Sequence, residues 1–338
     1  IRDQPRSRGL GDVYKRQFHV EHPDCNGWAG KFDVLGSFPV GSLSFSTILA
    51  MILGMSPEPR PTRIIAVANQ KGGVGKTTTT INLGSSMSEE GHRILIIDLD
   101  PQANATTGIG VNSRDLEHSI YHVILEQATA SAVRRSTDIP NLDFLPSSQA
   151  LVGAEIELVA AFSREHRLKR ALAEIVDDYD IVLIDCPPAL GLLTVNALVV
   201  ASEVLVPIQC EYYALEGLGQ LVENVDRVKA HLNPDLEVST IALVMYDART
   251  KLSEQVAGEV RAFFGSKVCR QVIPRSVGLS EASSYGQPIN VYDPRSRGAV
   301  AYRELAREIL HGPVPFGENT SMDDEMNGLE SGPEEVWT

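Results

Sequence analysis

Between Arg63 and Leu310 the chain alternates two hydrophobic patterns. Short, nearly continuous apolar runs recur as RIIAVAN, RILIID, LDFLP, YDIVLID, EVLVPI, STIALVM and KVCRQVI. Between most of them lie stretches of helical spacing, such as TTTINLGSSMSEEG and YALEGLGQLVENVDRVKAHL. A strand with one wet face alternates apolar and polar residues, whereas a strand covered on both faces reads as a continuous apolar run. Runs of the second kind, separated by helices, predict an α/β fold: a mostly parallel sheet with helices on both faces. No internal repeat interrupts this order.

The regular pattern predicts one domain over residues 55–312, and the flanks read differently. RSRGLGDVYKRQ, within residues 1–54, resembles a leader translated from adapter DNA, so the native protein is expected to begin at Met55 with SPEPRPTR as a lead-in. The segment Val34–Met55 contains Pro39, glycines and serines, and only ILAMIL is continuously apolar. A membrane span needs about 20 predominantly apolar residues, so neither a span nor a signal peptide is expected. Beyond His311 the chain turns to Pro, Gly, Ser, Asn and acids, which predicts a disordered acidic tail over 313–338.

Composition changes the picture in two places. The four cysteines, Cys25, Cys186, Cys210 and Cys269, are scattered with no CxxC pair, which argues against a disulfide framework or a cysteine metal site and fits a reducing cytosol. Net charge is −14, which taken alone argues against nucleic acid. The charge is unevenly spread, however: the tail is purely acidic, while residues 245–310 carry more basic than acidic side chains. A positive face on an acidic protein is compatible with that distribution, as are ordinary solvated charges.

The candidate chemistry starts at ANQKGGVGKTTTTINL, which follows one apolar run and opens a helical stretch. That is the context in which a phosphate-binding loop is expected. Gly72, Gly73 and Gly75, with Val74 between them, let backbone amides close around phosphate oxygens. The helix start at Thr77 and Thr78 adds its dipole. Lys76 suits the β- and γ-phosphates of ATP, and the Thr77 hydroxyl suits Mg²⁺. Asp98 and Asp100 in IIDLDPQAN, and Asp185 in VLIDCPP, fall at strand ends, where open α/β sheets bind ligands. Lys71 is a second lysine that such a loop does not require.

The blocks KGGVGKTTTTINLG, DLDPQANATTGIG, IDCPPALGLLTVNAL, PIQCEYYALEGL, DART and YDPRSRGA resemble the ParA/Soj chromosome- and plasmid-partitioning ATPases, which carry a deviant Walker A loop. The resemblance spans Arg63 to Leu310 and implies a single P-loop ATPase domain. It implies an ATP-bound homodimer in which Lys71 crosses to the partner's nucleotide and Gly72 stays small for close approach. It assigns water positioning to Asp100 and the Mg²⁺ shell to Asp98 and Asp185, with slow hydrolysis raised by a ParB-type partner. Nonspecific double-stranded DNA would be held by Arg249, with Lys251, Arg275, Arg295 and Arg297 extending the patch. Met245 and Pro274 fall where the family cradles adenine. One departure stands out: related sequences commonly carry a further DNA-contacting arginine where this chain has Gly278.

A palindromic coding of FHVEH, at Phe18, resembles the parS site bound by ParB, so residues 18–54 read as translated upstream DNA. The expected setting is cytoplasmic and nucleoid-associated, with no membrane partner. A MinD-type ATPase would carry a basic amphipathic C-terminal helix, which this tail lacks. Iron–sulfur relatives would need bridging cysteines, and Cys186, Cys210 and Cys269 lack that spacing. An autoregulatory repressor, or a positioner of non-DNA cargo, remains as an alternative of a different class.

Overall fold

The computed structural model describes residues 61–211 and 214–312. The expected leader over 1–54, the Met55 start and the acidic tail over 313–338 lie outside the described residues. Strand β1 (Arg63–Val67) is followed by helix α1 (Lys76–Glu89), β2 (Ile94–Asp98) and a short α2 (Asn104–Gly108). Then come β3 (Arg135–Ser136), β4 (Leu142–Leu145) and β5 (Ile181–Asp185), linked by short helical segments. The second half carries α3 (Leu192–Val200), β6 (Glu203–Gln209), α4 (Ala214–His231), β7 (Glu237–Tyr246) and α5 (Lys251–Phe264). It ends with β8 (Val268–Pro274), α6 (Val277–Ser284), α7 (Ile289–Tyr292) and α8 (Arg297–His311).

The strands form one sheet in the order β3-β4-β2-β5-β1-β6-β7-β8. Neighbours are parallel throughout, except for the antiparallel pair β3–β4 at one edge. Every apolar run read from the sequence is a strand. The exception in the other direction is β3, whose two exposed residues carry no periodic signal.

Continuous apolar runs follow from covering both faces. Ile65, Val67, Ile94, Ile96, Ile181 and Leu183 pack on one side of the sheet. Their neighbours Ala66, Leu95, Ile97, Val182 and Ile184 pack on the other, as period-two geometry requires. Helices α1 and α8 cover the first side with Ile81, Leu83, Met87, Tyr302 and Leu305. Helices α3, α4 and α5 cover the second with Leu193, Leu198, Leu221, Val225 and Val260. Each such side chain, fully buried, contributes about 1.5–3 kcal/mol of transfer free energy.

Helix α1 sits especially close to the sheet. A Cβ on Gly84 would stand 2.7 Å from Ile96 Cδ1 and 3.2 Å from Leu183 Cδ1, so a side chain there would force Ile96 or the helix to shift. Tyr302 on α8 meets Thr79 at 3.3 Å between hydroxyl oxygens and ties the last helix to the first. Strand β1 is central: the chain runs from it towards β2 on one side, and through β6 to β8 on the other. The crevice outside the strands' carboxyl ends at such a reversal is where ligands bind, and the loop after β1 lies there.

Candidate functional site

The loop from Gln70 to Thr77 is shaped by backbone rather than by side chains. Gly73 and Gly75 have φ of 73° and 81°, a left-handed geometry that disfavours any side chain. Val74 between them is buried and pins the loop. Gly72 differs: a Cβ there would meet nothing within 4 Å, and its φ lies outside the left-handed region. Nothing within the described residues therefore demands glycine at 72. Gly75 precedes α1 and offers no side-chain cap, and the first turn of α1 holds no acid. Its amides and dipole remain open to an anion.

Lys76 opens α1 and is only 7 % exposed. Its Nζ donates to the Lys71 carbonyl at 3.3 Å. Burial lowers its pKa, opposed by the charges of Asp185 and Asp100. Thr77 Oγ1 donates to Asp185 Oδ2 at 2.7 Å, and Thr80 Oγ1 to Asp185 Oδ1 at 3.3 Å. Burial pushes Asp185 well above the usual carboxylate range, and the neighbouring Asp98 charge adds to it. A hydroxyl and a carboxylate in contact beside a phosphate loop are hard oxygen donors that fit Mg²⁺. Thr78 follows in the first turn, where its carbonyl accepts from Asn82 Nδ2 at 2.7 Å.

Asp98 is fully buried and spends its oxygens inside the chain. It accepts from the Thr106 amide at 2.8 Å, the Thr106 hydroxyl at 2.7 Å and the Asp100 amide at 3.1 Å. Burial still dominates and lifts its pKa to about 7, against those hydrogen bonds. Asp98 thus anchors the turn that carries Asp100. Thr106 and Ser147 complete the brace: Ser147 donates its amide to Thr106 Oγ1 at 2.9 Å and its hydroxyl to the Asp100 carbonyl at 2.7 Å. Asp100 accepts from the Gln102 amide at 2.9 Å through Oδ1, while Oδ2 takes no hydrogen bond among the described residues. One oxygen of a nearly buried carboxylate is left for another donor.

Lys71 behaves unlike Lys76. It is 44 % exposed, and its Nζ lies 2.7 Å from Glu211 Oε2 just beyond β6. Glu211 lies within PIQCEYYALEGL, where the sequence alone gives it no role. Only a long-range contact gives it one. Thr80, Thr106 and Ser147 were missed for the same reason.

Met245, with a φ of 52°, places its Cε 3.7 Å from where a Cβ on Gly75 would stand, so it borders the phosphate loop. Pro274 ends β8 opposite Tyr246. The candidate DNA residues Arg249, Lys251, Arg275, Arg295 and Arg297 are all exposed. Arg249 holds Asp247 in a two-pronged pair, Nε and Nη2 each 2.9 Å from a carboxylate oxygen. That pairing draws Asp247 down to about 2, with a smaller contribution from the Arg275 charge. Arg249 and Arg275 therefore flank one carboxylate. Lys251 begins α5, Arg297 begins α8, and Arg295 lies two residues before it. No hydrogen bond or ion pair joins these three to Arg249 among the described residues.

Comparisons with known proteins identify the family of the chain. A family model described as an AAA domain matches residues 62–238. The sporulation initiation inhibitor protein Soj of Bacillus subtilis (strain 168) is 53 % identical over 247 residues, covering 73 % of this chain and 98 % of that protein. The chromosome partitioning protein ParA of Caulobacter vibrioides (strain NA1000 / CB15N) is 49 % identical over 252 residues, covering 74 % and 94 % respectively. Among solved structures, a cobyrinic acid a,c-diamide synthase from Mycobacterium smegmatis with bound ADP and magnesium is 39 % identical, with a TM-score of 0.65. The match covers 75 % of this chain and 97 % of that one. On its loop, its sheet and these relatives, the chain belongs to the ParA/Soj family of P-loop partitioning ATPases.

Proposed function

We propose that this chain is an ATP-dependent dimerising switch that binds DNA without sequence preference and drives chromosome or plasmid segregation with a ParB-type partner. The observation that carries the reading is the division between two lysines of one loop. Lys76 is buried against Asp185 and Asp100, whereas the Lys71 side chain is half-exposed and pairs with Glu211 instead. A lysine side chain that stands apart from its own phosphate cluster supports a role on the nucleotide of a facing subunit. The open space at Gly72 supports the same idea, because the need for glycine there would come from outside the chain.

In this reading Lys76, the amides of Gly73–Gly75 and the first turn of α1 hold the phosphates of ATP. Thr77 and Asp185 would hold Mg²⁺, which supplies charge neutralisation on the phosphates. Phosphoryl transfer to water needs positioning more than a strong base, so Asp100, braced by Asp98 and Ser147, orients the attacking water with its unpartnered oxygen. Lys71 from each subunit offsets the charge that two facing nucleotides bring together. Arg249 and Arg275 contact DNA phosphates, which gives affinity without sequence readout. Met245 and Pro274 border the base.

The test combines light scattering with DNA retention. Magnesium and ATP should give a dimer that holds unrelated duplexes equally well, and magnesium with ADP a monomer that holds none. Asp100→Ala should keep its dimer on DNA because hydrolysis no longer releases it. A dimer that retains no DNA at low salt would transfer the reading to positioning of another cargo. Retention confined to one duplex sequence would transfer it to a repressor.

A further inference from the structure

We infer that Glu211 is a positioning residue for Lys71, a carboxylate that holds the lysine within its own chain and so restrains the contact to a facing subunit. The inference rests on the proposed role of Lys71 across a dimer interface.

The end of β6 grips Lys71 twice. Its side chain meets Glu211 Oε2 at 2.7 Å. Its backbone amide donates to Asn69 Oδ1 at 3.0 Å, and Asn69 Nδ2 donates to the Pro207 carbonyl of β6 at 2.8 Å. Glu211 is itself held, because its other oxygen accepts from Gln209 Nε2 at 2.5 Å. Gln209 closes β6 in register with Val244 of β7. The carboxylate is thereby tied to the sheet, although both partners are nearly half-exposed.

One ammonium cannot serve Glu211 and a facing phosphate without bringing two negative charges together. Crossing therefore exchanges one anion for another, and each subunit of a symmetric dimer breaks one pair. Exposed pairs of this kind are weak. For two of them together the restraint is roughly 2- to 25-fold in the dimer dissociation constant, and it fades as salt screens the pair. The device tunes the switch towards the separate chain without touching the phosphate cradle.

Sedimentation with magnesium and a non-hydrolysable ATP analogue tests this on the full chain. Glu211→Gln should tighten the dimer roughly 2- to 25-fold at low salt, with the gain shrinking in a salt series. Glu211→Asp, which keeps the charge, should fall between Glu211→Gln and wild type. A side chain with a merely structural role would show no such salt-dependent gain. An unchanged or weaker Glu211→Gln dimer overturns the inference, provided Lys71→Ala still abolishes dimerisation. If Lys71→Ala dimerises like wild type, it is the crossing role of Lys71 that fails.

Discussion

The nucleotide end of the molecule and its arginine face are built on opposite principles. At the nucleotide end Lys76, Asp98, Asp100 and Asp185 are each less than a tenth exposed, and the three carboxylates are fixed by hydrogen bonds of 2.7 to 3.3 Å. On the arginine face Arg249 is 87 % exposed, and Lys251, Arg275, Arg295 and Arg297 form no ion pair among the described residues. Chemistry that depends on sub-ångström placement needs buried, cross-braced polar groups, whose desolvation is offset by mutual contacts. Attraction to a uniform phosphate backbone needs only charge at the surface, where long side chains adapt. Substitutions at the two ends should therefore differ in size and in salt dependence.

The largest effect is expected at Lys76. Lys76→Ala removes the proposed phosphate partner and leaves Asp185 and Asp100 without their nearby cation. Titration with a fluorescent ATP analogue should show roughly a 100-fold or greater loss of affinity, as when one member of a buried charge pair is truncated. A loss of only a few-fold would mean that the backbone cradle alone supplies most of the binding.

Next in size is Arg249→Glu, which reverses a charge without disturbing any buried contact. ATP-dependent dimerisation and hydrolysis should persist while DNA retention falls about tenfold or more at low salt. The loss should be similar for unrelated sequences, and any residual binding should show a salt slope shallower by about one. Retention equal to wild type would put the DNA face on another surface.

The same contrast explains what was legible in the sequence. The continuous apolar runs announced every parallel strand of the sheet, though not the short antiparallel β3, because burial on both faces leaves a local mark in composition. The phosphate loop was legible as well, since Gly73 and Gly75 are required by local φ. What stayed hidden depends on contacts between distant residues. Thr106 and Ser147 are 41 residues apart, and Lys71 and Glu211 are 140 apart; no period or spacing records either meeting. The pairing of Arg249 with Asp247 is only two residues long, yet the motif DART drew attention to the cation and not to the acid just before it.

A smaller, opposite effect is expected at Gly278. A Cβ there would meet Ser276 Oγ at 3.6 Å and Ile289 Cδ1 at 3.7 Å, both ordinary contacts, and its backbone is not left-handed. A side chain can therefore start here without backbone strain or a Cβ clash. Gly278→Arg should strengthen nonspecific DNA binding a few-fold and steepen the salt slope by up to about one, as one further phosphate contact would. Unchanged affinity would mean that position 278 does not face DNA in this chain.

The smallest effect belongs to Asp247, and it separates two meanings of the pair with Arg249. The carboxylate occupies Nε and Nη2 of the guanidinium, so a DNA phosphate approaching Arg249 meets both a cation and its counter-ion. Asp247 also accepts from the Arg249 amide at 3.1 Å through Oδ1, a turn contact that asparagine can keep. Asp247→Asn therefore removes the charge and spares the turn. DNA affinity in the ATP state should rise roughly two- to fivefold at low salt, the range expected for losing one exposed pair. The gain should vanish as ionic strength shortens the screening length. A fall in affinity would mean that the carboxylate pre-orients the guanidinium for phosphate, so that the arginine face, too, uses fixed geometry and the contrast with the nucleotide end is one of degree.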